Sequence, residues 1–596
     1  MYARETAARQ ASHITFSEVM IMSTFIELKK NLKKDMTGLP EIRIAITGDC
    51  ATQHLATAVA GAAYEHGLHM SVFDADYDEI RAQITDPSSE LYESRPEAVL
   101  IDMCTEKLYA DFCSLSMEDR KSFAGDKADQ IAGYWEMLLS SAKCKVLQFN
   151  FPERDDRVFG NYANSIEASF IFQQRKLNLL LMEEASKHPG VYIIDLNSLQ
   201  SRVGVEKFCD SKLYFAARMP YSTEILPDIA EEVMKVIGAM RGSIKKCVVL
   251  DLDNTLWGGV VGDDGLEGIQ VGELGIGRAF QEFQVWLKEL KMRGILLAVC
   301  SKNDEDKAKE PFEKHPEMVL RLEDIACFVA NWEDKASNIK NIREILNLGM
   351  DSFVFIDDNP FERNLVRELI PDITVPEMPE DPAEYLNYLK GLNLFETVAF
   401  SAEDEGRTDQ YRAEAQRTKV RENFGSYEDY LKDLQMEAYA GPFDKFHYPR
   451  IAQLTQRSNQ FNLRTVRYTQ EQIEALASDD SYITLYFTLK DRFGDHGLVS
   501  VVIMKKEEGY AFVDTWLMSC RVLKRTMEDY IVNTIVSTAK SSGFNEIRAE
   551  YLPTAKNSMV KDIYKEKGFT ETEPGKYVCK VEEYQVRDTY IADLHR

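Results

Sequence analysis

Short apolar runs separated by amphipathic segments cover most of this chain, and this pattern predicts alternating strands and helices. Residues 1–40 have helical periodicity, with apolar positions on one face, and Pro40 ends the pattern. In the part that follows, helical segments separate strand-like runs at residues 42–47, 98–101, 145–148 and 191–194. Strands that alternate with helices in this way are typical of a parallel sheet.

Three further apolar runs, at residues 247–250, 295–300 and 352–356, each end in a polar group. This arrangement predicts a doubly wound parallel sheet whose site lies at the carboxyl ends of the strands.

The last third of the chain has a different spacing. Apolar runs at residues 482–487, 498–503 and 510–513 follow one another closely, which predicts an antiparallel meander. A helix is expected after Cys520, and residues 546–551 form another strand-like run.

Together these patterns predict a multidomain α/β protein. We expect an N-terminal helical segment, a first α/β domain, a second α/β domain, a charged helical linker and a third, mixed α/β domain, at residues 1–40, 41–240, 241–400, 401–435 and 436–596 respectively.

Composition narrows the class of protein. The net charge of −27 argues against nucleic-acid binding, because phosphate backbones recruit basic surfaces. No apolar run is long enough for a membrane helix, so no membrane association is expected. The ten cysteines show neither paired Cys-x-x-Cys nor His/Cys spacing, which favours reduced thiols in a cytoplasmic protein over disulfides or a zinc site.

The central candidate for chemistry is the stretch from Asp251 to Thr255, directly after the apolar run at 247–250. Asp251 and Asp253 point the same way if the extended geometry persists, and two carboxylates can then share a divalent cation. Taken alone, the stretch is equally consistent with an acidic turn. Polar groups after the next two runs change this interpretation, because Ser301 ends one run and Asp357 and Asp358 follow the other.

Lys335, at the start of an amphipathic segment, completes a set that can bind phosphate. This order and spacing resemble the haloacid-dehalogenase (HAD) superfamily of aspartate-nucleophile phosphatases. The resemblance implies a Mg²⁺-dependent enzyme, and it implies roles for individual residues. Asp251 is then the nucleophile and Asp253 the general acid/base, phosphate is bound by Thr255, Ser301, Lys302 and Lys335, and the metal is bound by Asp251, Asp253, Asp357 and Asp358.

Residues 251–265, 300–304 and 355–363 further resemble the FkbH-like branch of that superfamily. Members of this branch load glyceryl-type units onto acyl carrier proteins. The resemblance therefore implies a small phosphorylated acyl substrate, such as 1,3-bisphosphoglycerate, and an acyl carrier protein as partner.

The first α/β domain resembles SGNH-type hydrolases, with Cys50 of Gly48-Asp49-Cys50 where those enzymes carry serine. Asn150 matches their oxyanion-hole asparagine. The expected Asp-x-x-His is absent from the corresponding region, residues 209–221, so no partner base for Cys50 is found. The alternatives are an acyl-binding or purely scaffolding domain, with Cys50 as a packing residue.

The third domain resembles GNAT-like acyltransferases, which implies Tyr564 as the group that protonates a leaving thiolate. Its pyrophosphate loop, beginning at Arg521, has Lys524 and Thr526 at glycine positions, which favours the phosphopantetheine of a carrier protein over coenzyme A. Cys520 precedes the expected helix, whose N-terminus lowers a thiol pKa, so Cys520 ranks ahead of Cys50 as acyl-bearing thiol. The alternative is that these cysteines and Tyr564 are packing residues.

Three hypotheses of function result. The first is a bifunctional phosphatase and acyltransferase that delivers a glyceryl-type unit to a carrier thiol. The second is a phosphatase of another small phosphometabolite, with outer domains for specificity. The third is a non-enzymatic assembly scaffold, which the intact acidic motifs argue against.

Overall fold

The computed structural model describes residues 23–400, 408, 411, 425–458, 460–519, 522–554 and 556–594. The chain divides into two compact units, Met1–Ala239 and Met240–Arg596. Three sheets organise these units, one in the first unit and two in the second.

The first unit contains a five-stranded parallel sheet in the order β2-β1-β3-β4-β5. Its strands are β1 Glu41–Gly48, β2 His69–Asp74, β3 Ala98–Asp102, β4 Lys145–Phe149 and β5 Val191–Ile194. The helices of this unit are Phe25–Asn31, Gln53–Glu65, Ile80–Thr85, Glu90–Glu93, Thr105–Ser114, Phe123–Met137, Phe170–Ala185, Leu196–Val203, Val205–Phe208, Ser211–Ala217 and Leu226–Met240.

The N-terminal segment is shorter as a helix than its periodicity predicts. A capping box between Thr24 and Glu27 begins the helix Phe25–Asn31, which ends before Leu32 although the pattern continues to Met36. Residues 1–22 lie outside the described part of the chain.

The second unit begins with a four-stranded parallel sheet in the order β8-β7-β6-β9. Its strands are β6 Cys247–Leu250, β7 Leu296–Ser301, β8 Ile325–Ala330 and β9 Phe353–Ile356. The apolar pattern predicts three of these strands but not β8, the strand at one edge. Helices Val261–Gly268, Gly277–Met292, Glu305–Lys314, Lys335–Leu346, Pro360–Leu369 and Pro382–Leu392 accompany the sheet.

The remaining part forms an eight-stranded mixed sheet in the order β15-β16-β14-β13-β12-β11-β10-β17. The strands are β10 Met436–Gly441, β11 Tyr482–Asp491, β12 Gly494–Glu507, β13 Tyr510–Met518, β14 Glu546–Glu550, β15 Thr570–Glu573, β16 Lys576–Lys580 and β17 Ile591–Asp593. The helices are Tyr427–Asp433, Tyr448–Arg457, Gln470–Ser478, Met527–Ser541 and Ile563–Glu566.

Strands β11 to β13 form the predicted antiparallel meander. β10, which the pattern did not predict, adds an antiparallel strand beside β11, and β14 pairs with β13 in parallel. The predicted fold class, a multidomain α/β protein with two parallel sheets and a mixed sheet, is therefore confirmed. Most of the predicted charged linker at 401–435 lies outside the described residues.

Candidate active site

Asp251 lies at the carboxyl edge of the four-stranded sheet, between the ends of two neighbouring strands. Leu250, the last residue of β6, pairs with Val299 of β7 and with Ile356 of β9. The Asp251 N–H donates to the Ile356 carbonyl at 3.0 Å, which extends the pairing by one residue. The register thus places Asp251 beside Asp357, as expected for residues that follow parallel strands.

Three carboxylates and one ammonium group form a compact cluster at this edge. Asp251, Asp357 and Asp358 each offer an oxygen, and these oxygens lie within 4.8 Å of one another. The Lys335 ammonium, 3.0 Å from Asp251 Oδ2 and 2.5 Å from Asp357 Oδ2, bridges two of them. Lys335 is only 3% exposed, so this ion-pair network is largely shielded from solvent.

The charge of this cluster suits a hard cation. Burial, together with the charge of Asp251, raises the pKa of Asp357 to about 7, and burial raises the pKa of Asp358. The cluster has three buried or half-buried carboxylates and the Lys335 ammonium, so its negative groups outnumber its positive one. Oxygen ligands at this spacing are what Mg²⁺ uses in proteins, so the residues fit such an ion.

Asp253 is oriented by a separate set of donors. The Trp257 indole and the Val261 N–H donate to its Oδ1 at 2.9 and 3.0 Å, and the Asn303 amide donates to its Oδ2 at 3.0 Å. Burial raises the pKa of Asp253. A carboxyl group that retains a proton more readily suits the predicted role of general acid/base. Its side chain does not belong to the carboxylate cluster that could hold the metal.

The three remaining predicted phosphate ligands differ in their surroundings. Ser301 ends β7 at the same sheet edge and is 2% exposed. Lys302 makes an ion pair of 2.6 Å with Glu362, so its ammonium already has a carboxylate partner. The Thr255 hydroxyl accepts from the Asp358 N–H at 3.1 Å and donates to Asp358 Oδ1 at 3.3 Å. Thr255 therefore links the first motif to the loop after β9.

A cavity of about 410 Å³ lies beside the cluster. Asn254 and Asp358 line it on the side of the motifs, and Gly258, Phe280 and Tyr385 line it elsewhere. Its size is at the lower end of the range for small-molecule sites. A small phosphorylated molecule would therefore have room next to Asp358.

In the first unit, Cys50 has a partner that the sequence did not reveal. Its thiol lies 3.3 Å from Asp102 Oδ2, and the Tyr221 hydroxyl donates to Asp102 Oδ1 at 2.7 Å. Cys50 is 1% exposed. Its hydrogen bond with Cys104, burial and the charge of Asp102 raise its thiol pKa well above the usual value. The thiolate form is therefore disfavoured.

Asn150, the predicted oxyanion-hole residue, follows β4. Its amide donates to Asp195 Oδ1 at 2.7 Å, and its carbonyl oxygen accepts from the Asn197 N–H at 3.1 Å. Both ends of this side chain thus contact the N-terminus of the helix Leu196–Val203, which directly follows β5. Its role in binding an acyl group stays a prediction.

Cys520 and Arg521, between Ser519 and Val522 in the sequence, lie outside the described residues. Lys524 and Thr526 adopt φ values of 61° and 60°, the left-handed region that glycine occupies most readily. The loop therefore has a glycine-like backbone at both positions without glycine. The Lys524 N–H donates to the Glu528 carboxylate at 2.8 Å, in the first turn of the helix Met527–Ser541.

Tyr564 lies in an aromatic cluster with Trp516, Phe569 and Tyr577, with ring centroids 5.1 to 5.7 Å apart. The residue is 1% exposed, and its hydroxyl has no hydrogen-bond partner. Burial raises its pKa. Its predicted role as a proton donor stays a prediction, and solvent reaches the hydroxyl very little.

A family model and a crystal structure match this chain. Residues 43–238 match the model of the FkbH N-terminal domain. The crystal structure of the N-terminal part of BF1531 from Bacteroides fragilis, which contains a phosphatase domain complexed with Mg, is 47% identical to this chain. The match covers 63% of this chain and 100% of the other, with a TM-score of 0.61.

The chain belongs to the FkbH-like family.

The third sheet of this FkbH-like protein has weaker relatives. The ribosomal-protein-S18-alanine N-acetyltransferase of Escherichia coli matches 24% of this chain and 89% of its own, at 11% identity and a TM-score of 0.18. The GNAT domain of S. lividans PAT matches 24% and 89%, at 16% identity and a TM-score of 0.20. No curated protein sequence matches the chain.

Two residues of the FkbH-like site were not found from the sequence. Asn303, whose amide donates to Asp253, lies two residues beyond the end of β7, where strand periodicity no longer predicts side-chain direction. Arg363, which is 4% exposed, donates to the backbone carbonyls of Asp357 and Asp358 at 2.9 and 2.6 Å. A helical arginine six residues after an aspartate gives no such signal.

Among the residues described, no helix has both the length and the apolar character needed to cross a membrane.

Proposed function

We propose that this protein is a Mg²⁺-dependent phosphatase of the aspartate-nucleophile type, coupled to an acyltransferase. It removes phosphate from a phosphorylated three-carbon acyl donor of the 1,3-bisphosphoglycerate type and loads the glyceryl-type unit onto the thiol of an acyl carrier protein. The single observation that supports this most is the arrangement of Asp251, Lys335, Asp357 and Asp358 at one sheet edge. The Mg-complexed phosphatase domain of the 47% identical relative supports the same chemistry.

In the phosphatase reaction, an Asp251 oxygen attacks phosphorus, and the bond between phosphorus and the leaving alkoxide breaks. Asp253 gives its proton to the leaving oxygen. Water then attacks the aspartyl-phosphate, Asp253 takes the proton of that water, and inorganic phosphate leaves. The donors from Trp257 and Asn303 hold Asp253 in one orientation for both transfers.

Lys335 and Ser301 would bind phosphoryl oxygens. The ammonium of Lys335 is placed by Asp251 and Asp357, so it faces the position of attack. Asp251, Asp357 and Asp358 would hold Mg²⁺, which supplies positive charge against the phosphoryl oxygens.

For acyl transfer we assign Cys520 as the acyl-bearing thiol. Its thiolate would attack the carbonyl carbon of the acyl phosphate, a C–S bond would form, the C–O bond to phosphate would break, and the thiol proton would go to solvent. The carrier thiol would then take the acyl group by thioester exchange. Cys50 is less suited, because its thiol is buried and its pKa is raised well above the usual value.

Ser519, which precedes Cys520 in the sequence, lines a cavity of about 920 Å³ in the second unit. A cavity of this size can hold a small phosphorylated acyl group. Lys340, Arg343 and Lys556 line the same cavity. Glu344, Asp351 and Asp372 line it too, and Lys556 is ion-paired with Asp351, so the cavity presents both signs of charge, with Lys340 and Arg343 among its cationic groups.

The structure of this loop favours a carrier protein over coenzyme A as the molecule that bears the pantetheine arm. In the loop before the helix Met527–Ser541, Glu528 accepts the Lys524 N–H that a pyrophosphate would otherwise contact. A carboxylate there repels the adenosine diphosphate portion of coenzyme A. A carrier-borne phosphopantetheine lacks that portion. We also propose a cytoplasmic location, since every cysteine that the structure describes is a free thiol.

The phosphatase assignment is tested by phosphate release from a small phosphomonoester. Asp251→Asn should abolish release, because the amide has no anionic oxygen for attack. Asp306→Asn, at an exposed position of the same domain, is the matched control and should keep full activity. Release should stop on chelation and return with Mg²⁺. Undiminished release by folded Asp251→Asn would remove Asp251 from this role.

A further inference from the structure

The carboxyl ends of β1 and β3 bring thiols and carboxylates together inside the first unit. Gly48 and Asp102 are register partners in these parallel strands, so Cys50 and Cys104 each lie two residues beyond a paired position. The Asp49 N–H donates to the Asp102 carbonyl at 3.1 Å and continues the pairing. A Cβ at Gly48 would lie 2.9 Å from that carbonyl, so glycine permits this close approach.

Three of these side chains have the geometry of a metal site. Asp49, Cys50 and Cys104 each offer one ligand atom, and all three atoms lie within 4.8 Å of one another. Tetrahedral zinc, with bonds of about 2.0–2.3 Å, needs ligand atoms roughly 3.3–3.8 Å apart. Small side-chain movements would therefore bring these three atoms to the spacing of zinc ligands, and Asp102 Oδ2, 3.3 Å from the Cys50 thiol, is the neighbouring oxygen nearest to the fourth position. The three residues are 7%, 1% and 2% exposed, so the site is closed to solvent.

Hydrogen bonds around the cluster hold its members in place. The Cys104 N–H donates to Asp49 Oδ1 at 2.8 Å. Asp102 contacts the Cys50 thiol through Oδ2 and is itself fixed by the Tyr221 hydroxyl at Oδ1. Metal ligands are commonly oriented by outer groups of this kind.

The cluster is rich in groups that become anionic and poor in cations. Lys107, the cationic side chain whose charge reaches Asp49, is already ion-paired with Asp78. Buried groups that can become anionic are usually paired with a cation or bound to a metal. A divalent ion would supply the positive charge that this cluster lacks.

We propose that Asp49, Cys50 and Cys104 bind a structural Zn²⁺ ion that ties the end of β1 to the end of β3, with Asp102 and Tyr221 as positioning residues. Two thiols and a carboxylate favour a borderline-soft ion over Mg²⁺. On binding, each thiol releases its proton to water as a sulfur–zinc bond forms, and no electron is transferred. The cysteines are far apart in sequence, which is why their spacing did not indicate a zinc site.

The phosphatase cluster provides a natural contrast within the same chain. Asp251, Asp357 and Asp358 offer only oxygen atoms, whereas the proposed zinc site offers two sulfur atoms. Cobalt(II) bound to thiolates gives a sulfur-to-metal charge-transfer band in the near ultraviolet, and cobalt(II) bound to carboxylates does not. Cobalt therefore distinguishes the two sites directly.

The test uses the full-length protein, stripped of metal by a chelator and kept reduced. One equivalent of Zn²⁺ or Co²⁺ is added in the presence of excess Mg²⁺, which occupies the oxygen-only site. After desalting, bound metal is measured by mass spectrometry and the cobalt band by absorption. The variants are Cys50→Ser, Cys104→Ser and Asp49→Asn, and the matched controls are the exposed Cys113→Ser and the buried Cys144→Ser.

Wild type and both controls should retain about one equivalent of zinc and show the cobalt band, and zinc should raise their thermal midpoint. Each cysteine variant should retain at least tenfold less metal. Asp49→Asn keeps both thiols, so it covers the case in which a cysteine variant fails to fold, and it should also weaken binding. Zinc retention unchanged in all three variants, or a wild type without the cobalt band, would overturn the proposal. So would a Cys50–Cys104 disulfide found as a 2 Da mass loss in protein isolated without reductant.

Discussion

Arg363 fixes the loop that carries Asp357 and Asp358, and its removal tests how the fold prepares the metal site. The guanidinium donates to the Asp357 and Asp358 carbonyls, and Nε and Nη2 donate to Glu377 Oε2 at 3.1 and 2.8 Å. Arg367 also pairs with Glu377, but its other partners are the Val375 carbonyl and Asn364. The two arginines therefore share one partner and differ in their contact with the loop.

The structure gives an expected magnitude for each substitution. Arg363→Ala leaves two loop carbonyls without a donor, and an unsatisfied buried acceptor costs about 1–3 kcal/mol. The free energy of unfolding should therefore fall by about 2–6 kcal/mol. Arg367→Ala leaves one carbonyl without its donor and should cost about 1–3 kcal/mol. Because outer-shell groups typically contribute a factor of about 10–100 to metal affinity, only Arg363→Ala should raise the Mg²⁺ concentration for half-maximal activity.

The assay combines urea unfolding, followed by circular dichroism, with Mg²⁺ titration of phosphate release. The predicted result is a loss of stability in both variants and a loss of Mg²⁺ affinity, by about tenfold or more, in Arg363→Ala alone. Equal Mg²⁺ dependence in wild type, Arg363→Ala and Arg367→Ala would refute the reasoning that this guanidinium positions the metal ligands.

Three further predictions concern chemistry, pH and packing. Asp253→Asn should slow phosphate release by about 10²–10⁴-fold with an unchanged dichroism spectrum, and a change below threefold would contradict its acid/base role. Burial alone lowers the pKa of His66, but its bond to a glutamate 2.8 Å away outweighs this and raises it. The bond between His66 and Glu231 therefore stabilises the fold fully below about pH 6.5, and this stabilisation is lost as the pH rises through the folded-state pKa of His66. His66→Gln should remove this pH dependence in urea unfolding. Gly125→Ala should raise the free energy of unfolding by about 0.5–1 kcal/mol because no atom is near its Cβ position, whereas Gly61→Ala should lower it because a Cβ there overlaps a backbone carbonyl.

The fold was largely predictable because its buried strands have strong apolar runs bounded by polar groups. The central strands of all three sheets were found in this way, and the polar group after each predicted strand indicated where the phosphatase-like site lies. Several outer strands were missed, although β5 and β9, which also lie at sheet edges, were predicted. β15, with the exposed sequence Thr570–Glu573, has no apolar run, and β8 was not predicted although Ile325–Ala330 is apolar.

The candidate site was only partly predictable, because many of its contacts join residues that are distant in the chain. Asp251 and Asp357 could be paired from strand order alone. The link between Cys50 and Asp102 depends on the register of β1 with β3, which no local pattern encodes. The same holds for Arg363, whose donors reach backbone carbonyls rather than a recognisable side-chain partner.

The central claim is that dephosphorylation and acyl transfer occur on this one chain, and intact mass of an acyl carrier protein tests it most directly. Purified enzyme, Mg²⁺, holo-carrier protein and 1,3-bisphosphoglycerate are incubated together, and the carrier mass is recorded. Wild type should add the mass of a dephosphorylated glyceryl unit. Asp251→Asn should add at most the phosphorylated unit, and Cys520→Ala should add nothing while keeping phosphate release from a simple ester. An unmodified carrier with wild-type enzyme that releases phosphate normally would contradict the account and leave a phosphatase alone.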